Sequence, residues 1–289
     1  MADTVHHPEN PAASPASEPD ALPTPGALRS ETYLILQTRQ AQRLIQGRRA
    51  EDGTPGIVGL TRFAALLRPI WSGARSDDAY ADWWLVRIHD ALEESERELR
   101  ALMQHVDALL KQLPGISVSV AQSVEPVRIP LAFSNPYAFR GSHLLSQFDE
   151  LVRGILTARH VALLDRDSSE RLLAEGGRHV RRAYTSALGY RFLGINRDDL
   201  QMMTARARQA EEAMGQLPPD VVEGRLRAPH APDSARAASE RGRRFAMRGA
   251  AVRPVSADAS APEADSEATV PAAAPTDGAE IGEPVQRAL

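Results

Sequence analysis

Apolar residues recur at helical spacing over most of the interior of the chain, and two short stretches alternate instead. From Gly59 onward, Leu60, Phe63, Leu67, Ile70 and Ala74 fall on one helical face. Ser76, Asp77 and Asp78 then form a helix-start signal, because acids are favoured at the positive end of a helix dipole. The longest helix follows, from about Ala79 to Leu113, and Pro114-Gly115 stops it. Its apolar positions keep a seven-residue register, with Leu85, Leu92, Leu99, Val106 and Leu113 in one row and Ile88, Leu102 and Leu109 in the other. That register predicts a coiled-coil-like seam, made either with another helix of the chain or across a homodimer.

The alternating stretches are ISVSVAQS, after Pro114-Gly115, and VRIPLAF. In the second, Val127, Ile129, Leu131 and Phe133 share one face while Arg128, Pro130 and Ala132 share the other, the pattern of a half-buried strand. Pro130 offers no N–H, which puts this strand at an edge. The two stretches are expected to pair as a hairpin, or one of them to pair across a two-fold axis. A core helix follows, with Leu144, Phe148, Leu151, Ile155, Ala158 and Ala162 on its apolar stripe. A second, Arg-rich helix starts at DRDSSE, where Asp167 and Glu170 have capping-box spacing, and Gly176-Gly177 is expected to weaken or break it before Arg178. Upstream, TYLILQT is strand-like and RQAQRLIQGRR reads as a helix closed near Gly47; downstream, a last helix runs from about Asn196 to Gly215. The expected fold is mainly α with a small β-ribbon or hairpin, an α+β arrangement. Residues 29–227 form one mostly helical domain and 116–188 its strand-helix-helix element.

Composition adds the ends and the exclusions. Residues 1–28 and 228–289 are rich in Ala, Pro, Ser and acids, so they are expected to be disordered tails, the second carrying a basic segment at 236–253. There is no cysteine, which excludes disulfides and thiolate chemistry. No run resembles a signal peptide or a membrane span, so a cytoplasmic protein without membrane contact is expected. No phosphate-loop, dinucleotide, zinc-protease or serine-hydrolase motif is present, and the eight histidines are scattered. The pairs Asp149-Glu150 and Asp198-Asp199 read as a solvated helix face and a helix start. No enzyme, cofactor or metal is expected.

Charge points elsewhere. Residues 114–197 hold eleven arginines against seven acids, whereas 29–113 hold twelve bases and twelve acids. On the basic stretch, Arg178, Arg181 and Arg182 lie at i, i+3 and i+4, a face suited to phosphates. Arg128 stands on the polar face of the edge strand, and in a paired ribbon such a residue meets guanine O6 and N7 in the major groove. Free N–H groups at Ser168 and Ser169, at a helix start, would anchor a phosphate. The segment bearing Arg241, Arg243, Arg244 and Arg248 is read as an auxiliary basic arm or an inert tail. Trp83, Trp84, Leu85, Leu92, Leu99 and Val106 make up the oligomer or partner seam, with one tryptophan in the core and its neighbour covering it.

The strings LQTRQAQRL, GIVGLTRFA, YADWWL, PLAFSNPY, LLSQFDELVRGILTARH and VRRAY, in that order, resemble a family of integrating-conjugative-element proteins found with conjugative-transfer genes. The resemblance covers the middle two-thirds of the chain. One plasmid-borne branch of that family acts as a DNA-binding transcriptional regulator with a ribbon-helix-helix-like element. The resemblance therefore implies a DNA-binding regulator or accessory protein of a conjugative element, with double-stranded DNA as partner. The alternative is a non-catalytic structural or adaptor protein of the transfer apparatus, binding a conjugation-machinery protein.

Overall fold

In the computed structural model, residues 31–51, 54–237 and 239 are described. Four helices carry the core: α2 (Leu60–Arg75), α3 (Ala79–Leu110), α4 (Pro136–His160) and α5 (Arg166–Thr185). The heptad row of α3 settles the seam within the chain. Leu85, Leu92 and Leu99 are fully buried and Val106 nearly so, packed against α4 and α5. These positions face no partner, which corrects the reading of them as an oligomer surface. Trp84 is buried, with Nε1 donating to Leu188 O at 2.9 Å, and Trp83 is half-covered beside it.

Helices α3 and α4 run side by side in the same direction: Arg140, early in α4, reaches Glu96, and Gly154 further along faces Val106. Helix α5 returns antiparallel to α4. Gly176 lies against Phe148 and Leu151, and Tyr184 donates to Gly141 O at 2.9 Å. The glycines therefore do not break α5. A Cβ on Gly176 would stand 2.8 Å from Leu151 Cδ2, so the missing side chain is what lets the two helices approach. The N-cap also differs from expectation: Asp165, not Asp167, accepts from Ser168 N at 2.7 Å, and Glu170 pairs with Arg166 instead.

Strand β1 (Tyr33–Leu36) leads into α1 (Arg39–Gln46), and a small hairpin, β2 (Gly47–Arg48) with β3 (Ile57–Val58), connects α1 to α2. Strand β4 (Val127–Pro130) pairs antiparallel with β1, Tyr33 opposite Pro130 and Leu36 opposite Val127. The expected hairpin with ISVSVAQS does not form. That stretch keeps the sidedness its alternation announced, Val118 and Val120 half-buried and Ser117 and Ser119 exposed, but it has no ladder. It is pinned as extended chain, Ala121 N donating to Thr157 Oγ1 and Ser123 N to Gln37 Oε1.

The expected last helix is broken into α6 (Arg197–Gln201) and α7 (Ala205–Met214), with Met203 between them at φ 50°. A short α8 (Pro219–Val222) follows. This portion is tied to the start of α3 by buried charge. The fully buried Asp82 takes Arg197 Nη2 at 2.6 Å and Arg227 in a two-point grip at 3.0 Å. Ala228 and Ser234 are buried too, so the ordered chain continues past residue 228, into what composition assigned to the tail. The remaining tail residues lie outside the described ones.

Candidate nucleic-acid interface

The β1–β4 ribbon has one covered and one open face. In the antiparallel register, Leu131 N donates to Thr32 O at 2.8 Å, which makes Leu34 with Ile129 and Leu36 with Val127 the hydrogen-bonded pairs. Tyr33 with Pro130 and Ile35 with Arg128 are then the non-hydrogen-bonded pairs, so the N–H that proline lacks is one the ladder never needed. Leu34 and Leu36 turn into the core. Tyr33, Ile35, Arg128 and Pro130 turn outward, and Tyr33 and Ile35 stay 41% and 48% exposed despite their apolar surface. The Arg128 guanidinium lies 4.9 Å from the centre of the Tyr33 ring, a diagonal cross-strand contact that holds the cation over the open face.

The ribbon is aimed by a carboxylate. Asp149, buried on α4, accepts from Gln37 N at 2.9 Å, Thr38 N at 2.8 Å and Thr38 Oγ1 at 2.6 Å. Thr38 is in turn the N-cap of α1. The single carboxylate therefore fixes the turn between β1 and α1 against the bundle, and the reading of Asp149 as part of a solvated helix face is corrected. Its spacing, one residue after the core Phe148, was compatible with either.

Beside the ribbon, α1 exposes Arg39, Gln42, Arg43 and Gln46, and together with Val127 and Ile129 they line an open groove of about 640 Å³. Arg48 and Arg49 continue the exposed cations into the β2–β3 hairpin, and β3 lies against α5. None of Arg39, Arg43 and Arg49 has a carboxylate within ion-pair distance among the described residues. Averaging charge over 29–113 conceals this. Residues 32–75 hold seven arginines and two acids, while 76–113 hold four bases and nine acids. A finer division of the same sequence reveals a basic strand-and-helix region next to an acidic long helix.

The residues singled out on α5 divide. Arg178 is exposed, and Arg181 is half-buried with no ion pair among the described residues, its pKa lowered by burial and then by Arg178. Arg182 is engaged by Glu94 of α3 at 2.8 Å, so it offers a phosphate less than the sequence suggested. The phosphate anchor at Ser168 and Ser169 is closed: Asp165 takes Ser168 N, and Ser169, fully buried, donates both its N–H and its hydroxyl to Asp165 O. Arg241, Arg243, Arg244 and Arg248 lie outside the described residues. Among those described, no His, Asp or Glu cluster has metal-binding geometry, and no helix is long and apolar enough to cross a membrane.

The crystal structure of selenomethionine-containing AcaB from uropathogenic E. coli is similar over 67% of this chain and 96% of that one, with a TM-score of 0.48 and 13% identity. No curated protein sequence matches the chain. The family model for the transcriptional regulator AcaB matches residues 24–234, which include the ribbon, the basic α1 region, the bundle and the buried Asp82 cluster. The resemblance read from the sequence strings is thus confirmed, and the chain belongs to the AcaB family of transcriptional regulators.

Proposed function

We propose that this protein is a cytoplasmic, double-stranded-DNA-binding regulator of conjugative-element genes, and that the open face of the β1–β4 ribbon enters the major groove. The observation that carries the reading is the outward set Tyr33, Ile35 and Arg128; Arg39 and Arg43, on the groove beside Val127 and Ile129, have no carboxylate within ion-pair distance among the described residues. A two-stranded ribbon fits the major groove, arginine recognises guanine O6 and N7, and an apolar side chain recognises the thymine methyl. Arg39, Arg43, Arg48 and Arg49 supply phosphate contacts, with Arg178 and Arg181 as flanking cations. The heptad seam that the adaptor reading would use is filled from within the chain, which favours the DNA-binding reading.

Gel-shift titration of the full chain against duplexes from upstream regions of its own element, at several salt concentrations, tests this. Affinity should fall steeply with salt. Arg39→Ala and Arg43→Ala should weaken binding to all sequences alike, each lowering the salt slope by about 1. Arg128→Ala should cost about 1–3 kcal/mol on a preferred duplex and far less on random DNA. Folded protein that shifts no duplex at low salt would refute the proposal.

A further inference from the structure

A strand followed by two helices occurs twice in the chain, the first time with a hairpin between the helices. The first set is β1, α1 and α2, with β2 and β3 between α1 and α2; the second is β4, α4 and α5, and α3 lies between the two sets. The strands of the two sets pair with each other, antiparallel, and each leads into a helix capped by a side chain, Thr38 Oγ1 on Ala41 N and Asn135 Oδ1 on Ala138 N. A ribbon assembled from two identical subunits needs a two-fold axis, and its opposed residues are then identical in both halves. Here both strands come from one chain, and the open face is unlike on its two sides. Strand β1 presents Tyr33 and Ile35, and β4 presents Arg128 and Pro130. The outer edge of β4 is moreover blunted, since Pro126 and Pro130 flank it and Pro130 offers no N–H on the side away from β1.

We infer that a single chain supplies the complete DNA-reading ribbon, and that its ligand is an asymmetric duplex site bound by one chain. Palindromic operators mirror the symmetry of a protein dimer; a ribbon without that symmetry reads a site without it. The base pair under Ile35 of β1 is read by apolar contact, which favours thymine. Its neighbour, under the opposed Arg128 of β4, is read by the guanidinium, which favours guanine.

This rests on the DNA-binding reading, and the experiment separates the two. The full chain is used to select from a library of random 30-base-pair duplexes, and the enriched duplex is titrated at stoichiometric concentration in sedimentation velocity. The expected result is a non-palindromic motif and a complex of one chain per duplex. Arg128→Ala should lose roughly tenfold to a hundredfold on the enriched duplex and relax preference at one position of the motif only. Ile35→Ala, also at an exposed position, should relax the neighbouring position only. A palindromic motif with two chains per duplex, or relaxation at two symmetry-related positions by Arg128→Ala, overturns the single-chain inference and leaves DNA binding intact. Failure to enrich any sequence, with no salt-dependent binding of the folded chain, overturns both.

Discussion

Replacing Asp149 with alanine removes the carboxylate that ties the strand-to-helix turn of the ribbon to α4. Three donors lose their acceptor: Gln37 N, Thr38 N and Thr38 Oγ1. The hydroxyl already serves Ala41 N as a cap and is free to rotate, so its loss is small. The two backbone N–H groups are part-buried, and an orphaned buried donor costs about 1–3 kcal/mol. Together they give about 2–6 kcal/mol, or roughly 4–24 °C in melting temperature at about 2–4 °C per kcal/mol for a domain of this size. Asp149→Asn keeps one acceptor and sets an amide N–H against the other donor, so it should fall between alanine and wild type. Glu150→Ala, one residue on and exposed, should stay within about 0.5 kcal/mol. Thermal melting gives the totals, and hydrogen exchange locates them, with lost protection concentrated in residues 33–46. DNA affinity should fall as well, since the ribbon is no longer aimed. An Asp149→Ala protein that melts with wild type, or whose lost protection is spread evenly over the bundle, would refute the argument.

Further outcomes follow from other sites. Asp82→Ala takes from the buried Arg197, 4% exposed, one of its two carboxylates at 2.6 Å and from Arg227 its two-point partner, and should destabilise by about 3–5 kcal/mol in urea unfolding. Ala162→Gly should raise stability by about 1 kcal/mol, because Ala162 sits at φ 61° where only glycine is unstrained, and a lower melting temperature would contradict this. Asp78, buried at the α3 N-cap, has its pKa raised chiefly by burial, so the folded state holds its proton more tightly than the unfolded one. Stability should therefore decline as pH rises above the ordinary aspartate value of 3.8 through the raised folded value, and Asp78→Asn should flatten that slope in melts recorded against pH.

What was legible in the sequence was whatever a period could express. The heptads of α3, the apolar stripe of α4 and the two faces of β4 each repeat often enough to be read, and all three appear as expected. Pairing was not legible, because a four-residue strand specifies a face and not a partner: β4 took YLIL, across the whole of α3, over the neighbouring ISVSVAQS. Single buried polar residues were opaque for a related reason. The spacing of Asp149, in mid-helix, and the place of Arg197, at a helix start, fit an exposed position as well as a buried one, and only the arrival of distant backbone groups makes them buried anchors. Gly176 looked like a helix breaker because propensity counts the missing side chain and not the neighbour that occupies its space. The basic α1 region was present in the letters and was lost to averaging over too long a window.

The pairing of β1 with β4 also has a consequence in time. Gln37 and the carboxylate that receives its N–H are 112 residues apart, so at about 5–20 residues per second the start of the ribbon leaves the ribosome roughly 5–20 s before its anchor exists. Throughout that interval Leu34 and Leu36 belong to an unpaired apolar strand. The first strand of the ribbon is therefore among the last described elements to acquire its shape, and a nascent chain interrupted anywhere before β4 carries the arginines of α1 with no ribbon beside them.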